Sequence, residues 1–151
     1  MLLTAPPGAS EKPPPSDPHG EAMAVDPQGA ELKRFTTEDP GAPVVMLNLL
    51  RFAPGGRALY AEYSRRAGAF LARYGGELLY AGDGGTPLVA EQGQSWDAVL
   101  VFRYPDREAF GRMVADPEYQ EITGLRSRAL SEAVLQPTTP WPANRTPRTA
   151  P

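Results

Sequence analysis

The stretch from Trp96 to Gln120 constrains the fold of this chain more than any other. Ala98 to Phe102 is a short run of apolar, β-branched and aromatic residues with no polar side chain at either parity, which is typical of a strand buried on both faces. Pro105 has no backbone N–H to donate, so it ends the strand, and Asp106 follows as the predicted N-cap of a helix. A central strand that leads directly into a helix is therefore predicted.

A second helix start follows the first. Asp116 is its predicted N-cap, with Pro117 at the first helical position. Apolar residues recur at helical spacing after each start, so both helices are expected to lie on the sheet. The expected core faces are Ala109, Phe110, Met113 and Val114 in the first helix, and Ile122, Leu125, Ala129 and Ala133 in the second.

The other elements complete a recognisable order. Strands are predicted at 44–50, at 77–81 with a hairpin continuation at 88–90, and at 133–136, and a helix over 59–74 ends at Gly75-Gly76. This order predicts an α+β fold, a ferredoxin-like four-stranded antiparallel sheet with helices on one face. Because the strands are apolar at both parities, the other face also needs a cover. A second copy is expected to supply it, which gives a symmetric homodimer.

Proline marks the limits of the folded part. Of the 18 prolines only Pro54, Pro87, Pro105 and Pro117 lie within 44–136, and segments rich in proline and small polar residues do not repay the entropy of ordering. We expect a disordered extension over 1–22, a segment over 23–43 with a short helix capped by Asp26-Pro27, the folded domain over 44–136, and a disordered tail over 137–151. Met23 is a candidate natural start.

Composition excludes several classes of function. Residues 44–136 hold ten arginines, eleven acidic residues and no lysine, so the basic surface that binds nucleic acid is missing. The chain has no cysteine and a single histidine, His19, in the expected extension, so neither a metal site nor a haem or other cofactor is predicted. No apolar run approaches the roughly 20 residues that span a bilayer, and the first residues do not look like a secretory leader. No membrane partner and a cytoplasmic location are expected.

Asn48 is the one polar side chain in the first predicted strand. A buried polar group without a partner costs about 1–3 kcal/mol, so Asn48 is expected to bond either to a loop backbone or to a ligand. The predicted pocket, a possible binding site for a small molecule, consists of Asn48, Tyr63, Tyr80, Trp96, Arg103 and Tyr119, with Asp97 at its edge as a possible base.

Each of these residues also has a structural interpretation. The tyrosines are compatible with core rings whose hydroxyls reach the surface, Trp96 with the start of a strand, and Asp97 and Arg103 with a cross-strand ion pair. The sequence leaves the two interpretations open.

Four segments carry a resemblance to a known family: VVMLNLLRF at 44–52, YGGELLYAG at 74–82, WDAVLVFRYPDREAF at 96–110 and DPEYQ at 116–120. The chain resembles a bacterial family of unknown function in the dimeric α/β-barrel superfamily. More distant relatives in that superfamily include cofactor-free antibiotic-biosynthesis monooxygenases, muconolactone-type isomerases and haem-binding chlorite dismutases.

The resemblance implies the ferredoxin-like fold, the homodimer and a ligand cavity between sheet and helices. It implies no particular reaction. Two hypotheses follow: a small-molecule-binding dimer with no assignable reaction, or a cofactor-independent monooxygenase or isomerase that acts on an aromatic or enolisable substrate.

Overall fold

The computed structural model describes residues 24–38 and 41–142. The expected extension over 1–22, the candidate start at Met23 and the last part of the expected tail lie outside these residues. The elements in chain order are α1 (Gly29–Thr37), β1 (Val44–Phe52), α2 (Gly56–Arg73), β2 (Glu77–Asp83), β3 (Ala98–Tyr104), α3 (Arg107–Ala115), α4 (Pro117–Gln120), α5 (Thr123–Ala129) and β4 (Leu130–Thr138).

The four strands form one antiparallel sheet in the order β2-β3-β1-β4. This is the ferredoxin-like arrangement, so the predicted fold class is confirmed. β3 has a neighbour on each side, as its apolar sequence predicts. β1 is the other internal strand, and Leu47 stands opposite Val101 of β3 and Gln136 of β4.

The connection from β3 to α3 is the one that the sequence indicates. β3 ends at Tyr104, directly before Pro105, and the Asp106 carboxylate accepts a hydrogen bond from the backbone N–H of Ala109 at 2.8 Å. Phe110 and Met113 are buried in the main core. Asp116 caps the next helix in the same way, accepting from the backbone N–H of Glu118 at 2.9 Å.

Two predicted elements differ from the structure. The single helix expected after Asp116 is two short helices, α4 and α5, and Ala133 is not in a helix because β4 already begins at Leu130. The predicted strand at 88–90 does not form. Leu88 and Val89 are 100% and 94% exposed, so this segment packs on nothing that would hold it in the sheet.

The helix before β1 begins later than the sequence indicates. Its N-cap is Gln28, and the Asp26 side chain does not cap it. Asp26 instead accepts hydrogen bonds from Arg126 at 3.0 Å and from the Ser127 hydroxyl at 2.8 Å. The backbone N–H of Ala133 also donates to the carbonyl of Ala24 at 3.0 Å. The segment before α1 is thereby attached to α5 and β4.

The sheet has two unlike faces. The face toward the helices carries the main core, including Val44, Met46 and Leu50 of β1. The opposite face, which we call the outer face, consists of the intervening residues, since side chains alternate along a strand. Its apolar members are Val45, Leu47, Leu49, Val99, Val101 and Val134. The apolar outer face that the sequence predicts is therefore present.

Gly56 lets α2 approach α5 closely. A Cβ atom at this position would lie 1.9 Å from the carbonyl oxygen of Ala129. That oxygen also accepts a hydrogen bond from the backbone N–H of Ala53 at 2.8 Å, just before α2 begins. The contact fixes the end of α5 against the start of α2 and so helps to shape the space between them and the sheet.

Candidate functional site

Two adjoining pockets of about 220 and 260 Å³ lie between the helices and the helix-facing side of the sheet. Because they share six lining residues, we treat them as one cavity. The shared residues are Asn48, Tyr63, Tyr104, Met113, Tyr119 and Arg126. Ring faces and apolar groups supply most of this set, and three of its members, Asn48, Tyr63 and Tyr119, are among the predicted site residues.

Asn48 faces the cavity from the middle of β1. It alternates with Val45, Leu47 and Leu49 and so shares the helix-facing side with Met46 and Leu50. The residue is only 6% exposed, and its Oδ1 has no hydrogen-bond partner within residues 24–38 and 41–142. The expected bond to a loop backbone is therefore not made by this atom. Asn48 therefore places a buried, unpaired acceptor at the wall of the cavity.

Arg126 of α5 is the other buried polar group at the cavity. It is 6% exposed, and its Nη1 donates to the carbonyl of Val25 and to the Asp26 carboxylate. Nη2 of the same guanidinium is buried without a hydrogen-bond partner among the described residues. Buried polar groups without partners are uncommon in folded proteins, and here two of them line one cavity.

Arg126 was not among the predicted site residues. A signal for it was available, because Arg126 follows Ile122 by four residues and precedes Ala129 by three. It therefore lies on the apolar stripe that was predicted to face the core. A cation within such a stripe is either paired in the interior or part of a site. In Arg126, the ion pair with Asp26 satisfies only one edge of the guanidinium.

Two tyrosines of the cavity are joined by their hydroxyls. The Tyr63 and Tyr119 oxygens lie 2.5 Å apart in the protein interior. The expectation that these hydroxyls reach the surface is wrong for both residues. One phenol donates to the other, so the hydrogen of the accepting phenol stays available for a further bond.

Burial keeps the phenols of the cavity protonated. It raises the pKa of Tyr63 well above its ordinary value, and the neighbouring Tyr119 raises it further. Burial also raises the pKa of Tyr119, an effect that the hydrogen bond from Tyr63 partly offsets. For Tyr104 the same desolvation raises the pKa strongly. At neutral pH these groups are hydrogen-bond donors and not bases.

The structure separates the other three predicted site residues from this cavity. Tyr80 is 56% exposed and lies opposite Val101 on the outer face. Trp96 stacks beneath Arg51, whose Cζ lies 4.5 Å from the ring centroid. Arg103 lies 3.6 Å from Glu77 of the neighbouring strand.

Asp97, the possible base, is also outside the cavity. Its carboxylate accepts a hydrogen bond from the backbone N–H of Phe52 at 2.8 Å. The suggested cross-strand pair between Asp97 and Arg103 is likewise absent from the described ion pairs, since Arg103 pairs with Glu77. Asp97 has a structural role at the end of β1.

A third pocket, of about 320 Å³, adjoins the cavity beneath α1 and the segment before it. It shares several lining residues with the 220 Å³ pocket, among them Asp26, Met46 and Phe110. The segment that carries Asp26 therefore lies between the two pockets, and the Asp26 carboxylate accepts a hydrogen bond from Arg126 where they meet.

The described ranges contain neither a candidate metal site nor a candidate membrane-spanning helix. Within residues 24–38 and 41–142, acidic and histidine side chains form no group of three that could hold a metal ion. Over the same ranges, no helix is both long enough and apolar enough to cross a bilayer.

Comparison with known proteins identifies relatives of this chain. Residues 51–136 match the model of a domain of unknown function, DUF1330. The crystal structure of the RPA0582 protein of unknown function from Rhodopseudomonas palustris is 30% identical, with a TM-score of 0.73, and the match covers 80% of this chain and 98% of that one. A methylated form of RPA0582 gives a TM-score of 0.75 at the same identity, over 81% and 98% of the two chains.

Other matches are more remote. A NIPSNAP-like domain protein from Burkholderia xenovorans is 20% identical over 74% of this chain and 94% of that one, with a TM-score of 0.47. SnoaB, a cofactor-independent oxygenase from Streptomyces nogalater, is 19% identical over 68% and 96%, with a TM-score of 0.45. No curated protein matches the chain.

Proposed function

Because the chain belongs to the DUF1330 family, a family defined without a reaction, we propose from its own geometry that it is a small-molecule-binding protein acting as a homodimer. The ligand occupies the cavity between the sheet and the helices. The observation that carries this proposal is a pair of buried polar atoms, Asn48 Oδ1 and Arg126 Nη2, that have no hydrogen-bond partner among the described residues and belong to side chains in the wall of a mostly apolar cavity.

The energetic argument starts from the cost of those two atoms. Each buried polar atom without a partner costs about 1–3 kcal/mol, a large fraction of the roughly 5–15 kcal/mol that stabilises a typical domain. A core optimised only for stability would carry an apolar side chain at position 48. A ligand that bonds to both atoms recovers this cost on binding, which accounts for keeping them.

The size of the cavity limits the ligand. The two pockets measure about 220 and 260 Å³, so as one cavity they lie at the lower end of the roughly 300–1,000 Å³ of sites for drug-sized molecules. A single ring with one or two substituents suits this space better than a fused polycyclic compound. The proposal is therefore for a small ligand.

A fragment screen tests the binding proposal. Ala67 lines the 260 Å³ pocket, so Ala67→Leu should fill part of it, while Ala61→Leu adds the same atoms at an exposed site of α2. Fragments at tenfold excess over Kd should stabilise the wild type and Ala61→Leu by about 1.4 kcal/mol, but not Ala67→Leu. The proposal fails if no fragment binds, or if every hit binds Ala67→Leu equally well.

The homodimer is supported by the outer face. Its apolar side chains form a continuous patch across three strands, and monomers rarely expose apolar patches beyond a few hundred Å². A second copy covers it with the same residues through a two-fold axis. Ion pairs such as Arg51–Glu132, at 3.0 Å, stand beside the patch as a polar rim.

Sedimentation of a charged variant tests this interface. Leu47 lies in the middle of the outer face, so Leu47→Glu should shift the protein to a folded monomer. Ala61→Glu, on the exposed side of α2, should leave the dimer unchanged. A wild-type protein that is monomeric at high concentration would refute the dimer.

No observation favours the alternative of a monooxygenase or isomerase. The expected base, Asp97, is bound to the Phe52 backbone, and the cavity phenols are held protonated. A bacterial source and a cytoplasmic location remain predictions, which fractionation of native cells would test.

A further inference from the structure

We infer that the cavity takes an uncharged, planar ligand whose carbonyl oxygen accepts from Arg126 and whose adjacent N–H or O–H donates to Asn48. This inference rests on the proposed function and narrows it to one chemical class. Three observations lead to it: the charge balance at Arg126, the donors and acceptors that face the cavity, and the rings that line it.

The charge of Arg126 is already balanced. Its Nη1 lies 3.0 Å from Asp26 Oδ1, in an ion pair whose arginine side chain is 7% exposed. Arg126 is also the only basic residue among those that line the 220 and 260 Å³ pockets in the described part of the chain. An anionic ligand would add a second negative charge with no second cation to balance it, and burial of such a charge is costly. The site therefore disfavours a carboxylate or phosphate.

The polar groups of the cavity wall that still have an atom free to bond define the hydrogen-bonding pattern of the ligand, since Asp26, Thr123 and Ser127 of the same wall already have partners. Arg126 Nη2 is an N–H donor, and the Tyr63–Tyr119 pair has one phenolic hydrogen left to donate. Asn48 Oδ1 is an acceptor. A carbonyl oxygen has two lone pairs and can accept from both donors. The ligand must also bring one N–H or O–H for Asn48.

The walls favour a flat ring. Tyr63, Tyr104 and Tyr119 line both pockets, and Tyr60 lines the larger. Aromatic side chains pack against a planar ring in offset or edge-to-face contacts. Ring amides and ring hydroxycarbonyl compounds combine this shape with the required donor and acceptor.

Three nearly isosteric probes separate these requirements. Benzamide has the carbonyl acceptor and an N–H donor, acetophenone has the acceptor alone, and benzoate at neutral pH is an anion without a donor. Calorimetric titration of the full wild-type chain should give benzamide a Kd at least about tenfold lower than either of the others, the effect of one buried hydrogen bond or of one uncompensated charge.

A variant assigns the donor contact to Asn48. In Asn48→Leu, benzamide should bind no more tightly than acetophenone, because the acceptor for the amide N–H is gone. The comparison of the three probes on the wild type needs no variant, so the inference stays testable even if Asn48→Leu folds poorly.

The outcomes distinguish this inference from the proposed function. Tightest binding of benzoate, or equal binding of benzamide and acetophenone to the wild type, would overturn the ligand class and leave small-molecule binding intact. Failure of all three probes alongside hits of other chemistry in the fragment screen would do the same. Failure of every probe and every fragment would overturn the proposed function itself.

Discussion

Replacement of Asn48 by leucine should make the unliganded protein more stable. Asn48 is 6% exposed, lies among apolar residues of β1, and has an Oδ1 without a hydrogen-bond partner in the described part of the chain. Leucine has the same number of side-chain heavy atoms and the same branching, although its methyl groups take more space, and it removes the unpaired atom. A structural role for Asn48, in which its side chain supports a loop, leads to the opposite expectation.

The magnitude follows from the cost of the unpaired group. Removal of one unsatisfied buried acceptor should recover about 1–3 kcal/mol. Strain from the branched side chain against its neighbours offsets part of this, since shape changes in a packed core cost up to about 1.5 kcal/mol. We expect a net gain of about 1 kcal/mol, or a rise in Tm of about 4 °C for a domain of this size.

Urea denaturation of the wild type and the variant, at equal protein concentration, measures the difference. Asn48→Asp is the matched control, since it keeps the shape and buries a charge, and it should destabilise the protein. A loss of more than 1 kcal/mol in Asn48→Leu would contradict the reasoning, because it would mean that the amide is satisfied and needed by the fold.

Three further predictions concern the tyrosines and the α2–α5 contact. Tyr119→Phe removes the 2.5 Å hydrogen bond to Tyr63 and should lower the free energy of unfolding by about 1 kcal/mol. In the same denaturation experiments, Tyr80→Phe, at an exposed site, should change it by less than about 0.5 kcal/mol. Burial raises the pKa of Tyr63, Tyr104 and Tyr119. Their contribution to stability is therefore complete below the unfolded pKa of about 10 and is lost as the pH rises through the folded pKa values. An absorbance titration should show these phenols ionising together with alkaline unfolding, and their ionisation in the native state would contradict their burial. Gly56→Ala would place a Cβ 1.9 Å from the Ala129 carbonyl oxygen and should cost about 1–3 kcal/mol, whereas Gly29→Ala, where the added atom meets nothing within 4 Å, should not lower Tm.

Much of the fold could be predicted because several local signals agree. The apolar run of β3, the proline after it and the caps Asp106 and Asp116 each indicate the same sequence of elements, and the structure has them at those residues. Apolarity at both parities of β3 also indicated its internal position in the sheet.

The end of the domain was harder to predict for a physical reason. Ile122, Leu125, Ala129 and Ala133 are spaced by three and four residues, which is a helical pattern. The chain nevertheless changes from α5 to β4 at Leu130, because pairing with β1 stabilises the strand. A short apolar stretch does not distinguish these two outcomes by its period.

The site could be predicted only in part. Asn48 stood out as a polar residue in an apolar strand, and the structure places it in the cavity wall. Arg103 was predicted to line the same pocket. It lies two residues after Val101 in β3, so it shares the face of Val101 and not the face of Phe102 and Tyr104. Side chains of opposite parity lie on opposite faces of a sheet, so Arg103 could not reach the helix side. The helical stripe after Asp116 could have drawn attention to Arg126, but its ion pair with Asp26, a hundred residues earlier in the chain, is contained in no local pattern.

The crystal structure of a complex with the tightest-binding fragment tests the central claim most directly. The claim is that the unpaired atoms of Asn48 and Arg126 exist to hold a ligand. We expect the fragment between the sheet and the helices, with one of its polar atoms within about 3.2 Å of Asn48 Oδ1 and another within the same distance of Arg126 Nη2. A fragment bound elsewhere, with both of these atoms paired to protein groups, would contradict the account.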